Sequence, residues 1–372
     1  MKLSFKLQQL FKMLLQNILL PCVYRFWNLL YRKKEKDQIV FADSCYDEVP
    51  FSMLRMYQAL QEKEYPVTVD VCDYRKMSFV QSTLRAIRFM KLYARAKVVF
   101  ICDNFLPVVS CRKDPETTVV QLMHSCGLGK KIGYDAKDDI PVGYRGFVYR
   151  NYDLVTVSSP GCVEPIAHGM RHSTDVVKAV GTSRTDFYFE EDWTQQCRED
   201  FFAQYPQAKG KIIVLWAPTF RGNAEDPKQV GTAEIERLEQ ALGEEFFLIR
   251  KVHPHVDNRY HLSSCSIPTE YLLPVADLLI TDYSSIVADF MFFNKPYVLF
   301  APDWEQYKRE RGLYVDFGSL SPYLVTDSAK LKDTVLQALQ DPCEEYVTRN
   351  REFHLSACDG HSTERIVEFI GL

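Results

Sequence analysis

The sequence predicts two doubly wound α/β domains, each built on a parallel sheet, with an amphipathic basic helix ahead of them. Three observations predict this. Short apolar runs alternate with helical-period segments in two successive series between residues 37 and 355. A chain of 372 residues exceeds one ordinary hydrophobic core, so two domains are expected. The first 36 residues share neither the strand pattern nor the charge balance of the rest.

In the leading segment, Leu3, Leu7, Leu10, Phe11, Leu14 and Ile18 recur at helical spacing, while Gln8, Gln9, Lys12 and Gln16 gather opposite. Pro21 is expected to divide this helix from a second one over Cys22–Tyr31. Residues 1–36 hold eight Lys/Arg against Glu35 alone, a net +7 that leaves −11 for the remainder. Tyr24, Trp27 and Tyr31 beside Arg32, Lys33 and Lys34 suit the headgroup zone of an anionic membrane surface. Polar residues interrupt every window of about 20 residues, which argues against a transmembrane span. No small-residue cleavage site follows, against a secretory leader. A mildly acidic body disfavours nucleic acid as a partner. Eleven scattered cysteines without a CxxC pair point to free thiols in a reducing, cytoplasmic compartment.

The first αβ series has strand candidates at Gln38–Phe41, Pro66–Val71, Lys97–Cys102, Thr118–Met123 and Leu154–Val157, with helices at Phe51–Leu60 and Val80–Lys91. The second has strands at Lys211–Ala217, Phe246–Val252, Leu278–Ile280 and Pro296–Phe300. Its helices are Ala233–Leu242, Ile286–Phe293 and Leu331–Leu339. The charged stretch Tyr188–Gly210 lacks a strand and marks the seam. The expected organisation is a segment 1–36, a domain 37–190, a domain 191–355, and a C-terminal helix in 356–372 with a path back to the first domain. Two facing Rossmann-like domains place a cleft at the carboxyl ends of their strands.

Five strand-to-loop junctions are unusually polar. In Ile280-Thr-Asp-Tyr-Ser-Ser-Ile286 a short strand is followed by Ser284 and Ser285 and then a helix, so hydroxyls and unbonded N–H groups meet at a positive helix end. An isolated Ser-Ser would serve as an N-cap only. Asp289 lies one turn further, within reach of a ribose hydroxyl or another polar group. His124, at a strand's carboxyl end, is a candidate general base; Gly127, Gly129 and Gly133 follow, with Lys130 and Lys131. Val180–Asp186 displays Arg184 on a turn, and Leu215–Arg221 ends a strand at Pro218, Thr219 and Arg221. Lys251 and His253 alternate with apolar positions, so they are expected on one strand face before Pro254. His253 with His255 lacks the carboxylates of a metal site. No GxGxxG follows the first strand, and neither GxxxxGK[ST] nor GxSxG occurs, which disfavours dinucleotide, P-loop and nucleophile-elbow chemistry. A transferase holding a nucleoside diphosphate derivative through protein cations remains.

These motifs, together with Ala276-Asp277 and the run Tyr307…Arg311-Gly312…Tyr314…Asp316-Phe317, resemble in order the CDP-glycerol glycerophosphotransferases of wall teichoic acid synthesis over residues of about 97–320. The resemblance implies a GT-B fold, with the first domain taking the acceptor and the second the CDP donor. It also implies a peripheral place on the cytoplasmic face of the bacterial membrane. His124 then matches the base, with His253 as a second catalytic group and Lys251 near the donor diphosphate. Candidate donor-binding positions are Ser125, Cys126, Gly127, Leu128, Arg184, Pro218, Thr219, Arg221, Lys251, Ser284, Ser285 and Asp289. The implied reaction transfers glycerol phosphate from CDP-glycerol to a lipid-linked saccharide acceptor with release of CMP, and requires no metal or other cofactor. His124-Ser125-Cys126-Gly127 departs from the His-Gly of many polymerase members and looks closer to shorter, primase-like members. CDP-ribitol as donor and a GT-B nucleotide-sugar glycosyltransferase are the alternatives, and an oligomer is compatible with the sequence.

Overall fold

A computed structural model describes residues 2–31, 36–137, 139–140, 143–223 and 226–372. The expected basic cluster Arg32–Lys34 lies outside the described residues. The chain forms two compact units. The first gathers residues 1–124, 132–186 and 357–372; the second gathers 125–131 and 187–356.

The first unit opens with α1 (Lys2–Leu14) and α2 (Leu20–Tyr31) and continues β1 (Gln38–Asp43), α3 (Phe51–Glu62), β2 (Val67–Val71), α4 (Phe79–Tyr93), β3 (Ala96–Ile101), α5 (Leu106–Ser110), β4 (Thr118–Gln121), β5 (Leu154–Thr156), α6 (Val163–Met170) and β6 (Val177–Lys178). Its six strands run parallel in the order β2-β1-β3-β4-β5-β6. Ile39, Phe41, Val98, Phe100 and Val120 fill the core beneath α3, with Phe41 and Phe100 stacked at 4.9 Å. Each such side chain contributes roughly 1.5–3 kcal/mol on burial.

The second unit contains α7 (Glu191–Gln204), β7 (Ile212–Trp216), β8 (Arg221–Asn223), β9 (Asp226–Lys228), α8 (Thr232–Leu242), β10 (Phe246–Arg250), α9 (Pro254–Tyr260), α10 (Thr269–Leu272), β11 (Leu278–Thr281), α11 (Ile286–Phe290), β12 (Tyr297–Phe300), α12 (Trp304–Glu310), β13 (Leu324–Val325), α13 (Leu331–Gln340) and α14 (Glu344–Leu355). Five parallel strands follow the order β10-β7-β11-β12-β13, and β8-β9 form a separate antiparallel hairpin. Val214, Trp216, Leu278, Ile280 and Val298 build its core. The last helix, α15 (Ser362–Phe369), belongs to the first unit.

In each sheet the strand order reverses direction once, between β1 and β3 in the first and between β7 and β11 in the second. Such switch points leave a crevice at the strands' carboxyl ends, where doubly wound folds bind ligands.

Several elements differ from expectation. The stretch without a strand after Tyr188 is mostly α7, while β6, β13 and the β8-β9 hairpin are too short to leave an apolar signature. Pro21 does not separate two helices. A π-turn over Leu15–Leu19, closed by Leu20 N–H on Leu15 O, gives the proline ring room without a break. The amphipathic helix also sits opposite to a usual surface helix. Leu15, Gln16, Leu20 and Tyr24 face the protein, whereas Leu7, Leu10, Phe11, Leu14 and Ile18 are 44–57% exposed. Gln16 is the docking group: its amide donates to Phe147 O and accepts from Tyr144 OH.

Candidate functional site

At the first unit's switch point, Asp43 ends β1, and Cys102 and Asp103 follow β3; their side-chain ligand atoms lie within 4.8 Å of one another. His124 follows β4, next in the sheet. Its Nδ1 is 2.8 Å from Asp103 Oδ1, and its side chain is 55% exposed. The expected strand Thr118–Met123 stops at Gln121, because Met123 takes φ +59° and turns the chain away. Gln121 holds that bend: its Oε1 accepts from Met123 N–H at 3.2 Å, and its Nε2 donates to Asp103 O at 3.2 Å.

Burial pushes the Asp43 carboxyl up to about 6, against the lowering hydrogen bond from Cys45 N–H, with the Asp103 charge adding to the rise. Burial would raise Asp103 too, but the His124 imidazole and the Arg75 guanidinium outweigh it and hold this carboxyl below the usual range. Among the described residues, Asp43, Cys102 and Asp103 form the one cluster dense enough for a cation. Asp43 already accepts from Cys45 N–H at 2.5 Å and from the Cys102 thiol at 3.6 Å, while Asp103 faces the imidazole. These contacts suit proton sharing.

Arg184 is not displayed on a turn. It is 3% exposed, in a 3-10 helix over Ser183–Phe189. The surrounding motif latches the C-terminal helix. Asp186 accepts from Ser362 N–H and Thr363 N–H at 3.0 and 2.7 Å, the place where an anion suits α15. Gly181 has φ +82°, and a Cβ there would lie 2.2 Å from Ser362 Oγ.

The loop after His124 belongs to the second unit. Cys126 and Leu128 are buried, Tyr314 N–H donates to Gly129 O at 2.8 Å, and Lys131 N–H donates to Gly312 O at 3.1 Å. Gly127, at φ +67°, lies where a Cβ would be 3.1 Å from Ala288 on α11. Leu128 N–H donates to His354 Nδ1 at 3.1 Å. Burial lowers the His354 pKa to about 4, so the ring is neutral, accepts at Nδ1 and carries its proton on Nε2.

At this unit's switch point, Thr281 Oγ1 donates to Ala217 O at 2.7 Å, and Asp282 Oδ1 accepts from Thr219 N–H at 2.7 Å, just past Pro218. Thr219 is 8% exposed, and its Oγ1 has no protein partner. Arg221 spends its donors inward: on Asp303 at 2.6 and 3.0 Å, on Asp282 at 2.9 Å, and on Thr219 O at 2.5 Å. It also lies over Tyr283 and Tyr307, which stack at 3.7 Å. Its guanidinium therefore clamps the loops.

Ser284 Oγ accepts from Ile286 N–H only at 3.4 Å, and Ser285, at the N-cap position, makes no side-chain cap bond. The helix beyond them is short, α11 continuing as a 3-10 turn over Met291–Phe293. Asp289 is 1% exposed and accepts from Tyr188 OH, a tyrosine of its own unit, at 3.3 Å. Lys251 and His253 are not strand residues, since β10 ends at Arg250. Lys251 Nζ donates to Cys265 O at 3.0 Å, with burial lowering its pKa; the His253 ring lies 4.5 Å from that of Phe220. The structure thus gathers Gly127 with α11, and Thr219 and Arg221 with Asp282; Lys251 is tied instead to the Cys265 loop. Sequence reasoning passed over Asp43, Asp103, Asp303 and His354. For the first two a signal existed: an acid at the carboxyl end of each of two apolar strands.

Residues 25–372 match the family CDP-Glycerol:Poly(glycerophosphate) glycerophosphotransferase. The chain is 30% identical over 380 residues to a teichoic acid poly(ribitol-phosphate) polymerase of Bacillus spizizenii (strain ATCC 23059 / NRRL B-14472 / W23), covering 93% of this chain but 58% of that protein. It is 26% identical over 357 residues to the teichoic acid ribitol-phosphate primase of the same strain, covering 90% and 91%. Teichoic acid glycerol-phosphate primases of Bacillus are similar to it as well. The solved wall teichoic acid polymerase TagF shares the fold at a TM-score of 0.76, with 17% identity, 98% of this chain and 96% of that one covered. With the match spanning both sheets and every junction described above, the chain belongs to the CDP-glycerol:poly(glycerophosphate) glycerophosphotransferase family, whose relatives act in teichoic acid synthesis.

Proposed function

We propose that the protein transfers glycerol phosphate from CDP-glycerol to a hydroxyl of a lipid-linked saccharide and releases CMP. The observation that carries this reading is the exposed His124 imidazole at the carboxyl edge of a central strand, with Nδ1 2.8 Å from Asp103 Oδ1; Nε2 is assigned as the basic nitrogen. The acceptor O–H gives its proton to Nε2, the oxygen bonds to the β-phosphorus, and the bond from that phosphorus to the bridging oxygen breaks so that CMP leaves. Lys251, His253 and the N–H groups at Ser284–Ser285 are the donors assigned to the diphosphate. The unpartnered Thr219 hydroxyl is assigned to the donor as well. No metal enters this scheme, so activity should survive EDTA.

The exposed apolar face of α1 supports attachment to a bilayer on its cytoplasmic side; among the described residues, no helix is long and apolar enough to cross one. A groove of about 300 Å³ lined by Gln9, Lys12, Asn104, Tyr144, Phe147 and Tyr149 beside α1 has room for a sugar headgroup.

Transfer of ribitol phosphate is the second reading, favoured by the ribitol-phosphate enzymes matched over 90% or more of the chain. The protein is incubated with a defined lipid-linked acceptor and CDP-glycerol, CDP-ribitol or UDP-sugars, and the product is weighed by mass spectrometry. A glycerol phosphate increment with CMP is expected. A ribitol phosphate increment alone selects the second reading, and UMP release without CMP overturns both. His124→Ala should lower turnover about 10²-fold or more.

A further inference from the structure

We propose that Asp103 is the positioning residue of His124, holding the imidazole by Nδ1–H so that Nε2 is presented as the base, with Gln121 fixing both members. This rests on His124 being the base. Two adjacent strands end here. Asp103 follows β3, His124 follows β4, and the Gln121 side chain bridges the two turns through Asp103 O and Met123 N–H. The left-handed Met123 places His124 off the strand line, a backbone state that persists only where surroundings enforce it. An ionised carboxylate at 2.8 Å selects the Nδ1–H tautomer and favours the imidazolium formed as the acceptor loses its proton.

Five other titratable or charged groups face this pair: Asp43 at the end of β1, Cys45 after it, Arg75 after β2, Cys102 after β3, and Tyr152 before β5. Burial pushes Cys45, Cys102 and Tyr152 up, so they stay neutral near pH 7. Arg75 stays cationic. Asp43 is left as the neighbour that changes charge in the working range.

The test uses the full chain with CDP-glycerol and a lipid-linked acceptor, comparing wild type, Asp103→Asn, Asp103→Glu, Asp43→Asn and His124→Ala. Asp103→Asn should lower kcat about 10²-fold with the donor KM within about twofold. It should also move the acid limb of the kcat/KM profile about one pH unit lower, since the carboxylate 2.8 Å from the ring, which favours the imidazolium, is gone. Asp103→Glu should restore part of kcat, and Asp43→Asn should shift the limb less. Wild-type kcat and acid limb in Asp103→Asn, with His124→Ala inactive, would overturn the positioning role alone. Full activity in His124→Ala would overturn the base reading itself. A fold-independent check is the ¹⁵N-imidazole spectrum of the wild type, in which the His124 signal, identified by its loss in His124→Ala, should be the Nδ1–H tautomer at pH 8. The Nε2–H tautomer there would sink the proposal.

Discussion

The two sheets reverse strand order at equivalent places and furnish those places with opposite chemistry. Between β1 and β3 the first unit sets two carboxyls, Asp43 and Asp103, behind an exposed imidazole. Between β7 and β11 the second sets a hydroxyl, backbone N–H groups and a guanidinium whose donors are spent on Asp282 and Asp303. On the proposed reading, the first edge takes the acceptor's proton and the second receives the donor. The topology supplies only the location; the residues just past each strand decide the role.

The largest effect should come from breaking the second edge. Arg221→Ala strands Asp282 and Asp303, whose side chains are only 4% and 19% exposed, and should cost about 3–5 kcal/mol in denaturant melts. A loss below about 1 kcal/mol would show that the clamp is dispensable.

Acid should then separate the units. The His354 pKa falls from 6.5 to about 4 on folding, so the unfolded chain takes up the proton first and the second unit loses stability as pH drops from 6.5 towards 4. The Asp43 pKa rises from 3.8 to about 6, so its contribution is complete below 3.8 and is lost as pH rises through 6. Each amounts to something on the order of 3 kcal/mol. Peptide-resolved hydrogen exchange between pH 4 and 6.5 should show protection moving in opposite directions around His354 and Asp43. Parallel loss in both would refute the contrast.

Smaller changes sharpen it. Gly181→Ala puts a Cβ into Ser362 Oγ at positive φ and should cost about 1–3 kcal/mol, with faster exchange in α15. Thr219→Val removes a hydroxyl without a protein partner and should leave stability within about 0.5 kcal/mol while raising the donor KM. A stability loss above 1 kcal/mol would assign that hydroxyl a structural task instead.

Most of the fold was legible because buried parallel strands must be apolar and helices between them amphipathic; the Leu278–Ile280 run, Ser284–Ser285 and the helix after them fell where expected. What stayed hidden depends on distant partners. Nothing near Arg221 in sequence tells that Asp303 will absorb its donors, and nothing near Leu128 points to His354. Arg184, which its turn-like sequence displays, is buried for the same reason: its neighbours Ser183 and Asp186 bond Thr363 and Ser362, nearly 180 residues away. Along the leading helix the apolar period is plain, but Gln16, on the polar face opposite it, is buried in the π-turn and anchors it.

That return has a consequence for biogenesis. Ser362 and Thr363, the N–H donors that Asp186 awaits, are synthesised 176 and 177 residues after it. The first unit therefore begins to emerge before the second and is completed after it, once residues 357–372 have been made. A nonsense codon near position 356 would spare the younger half and leave the older one unsealed, the reverse of the usual polarity of truncation damage.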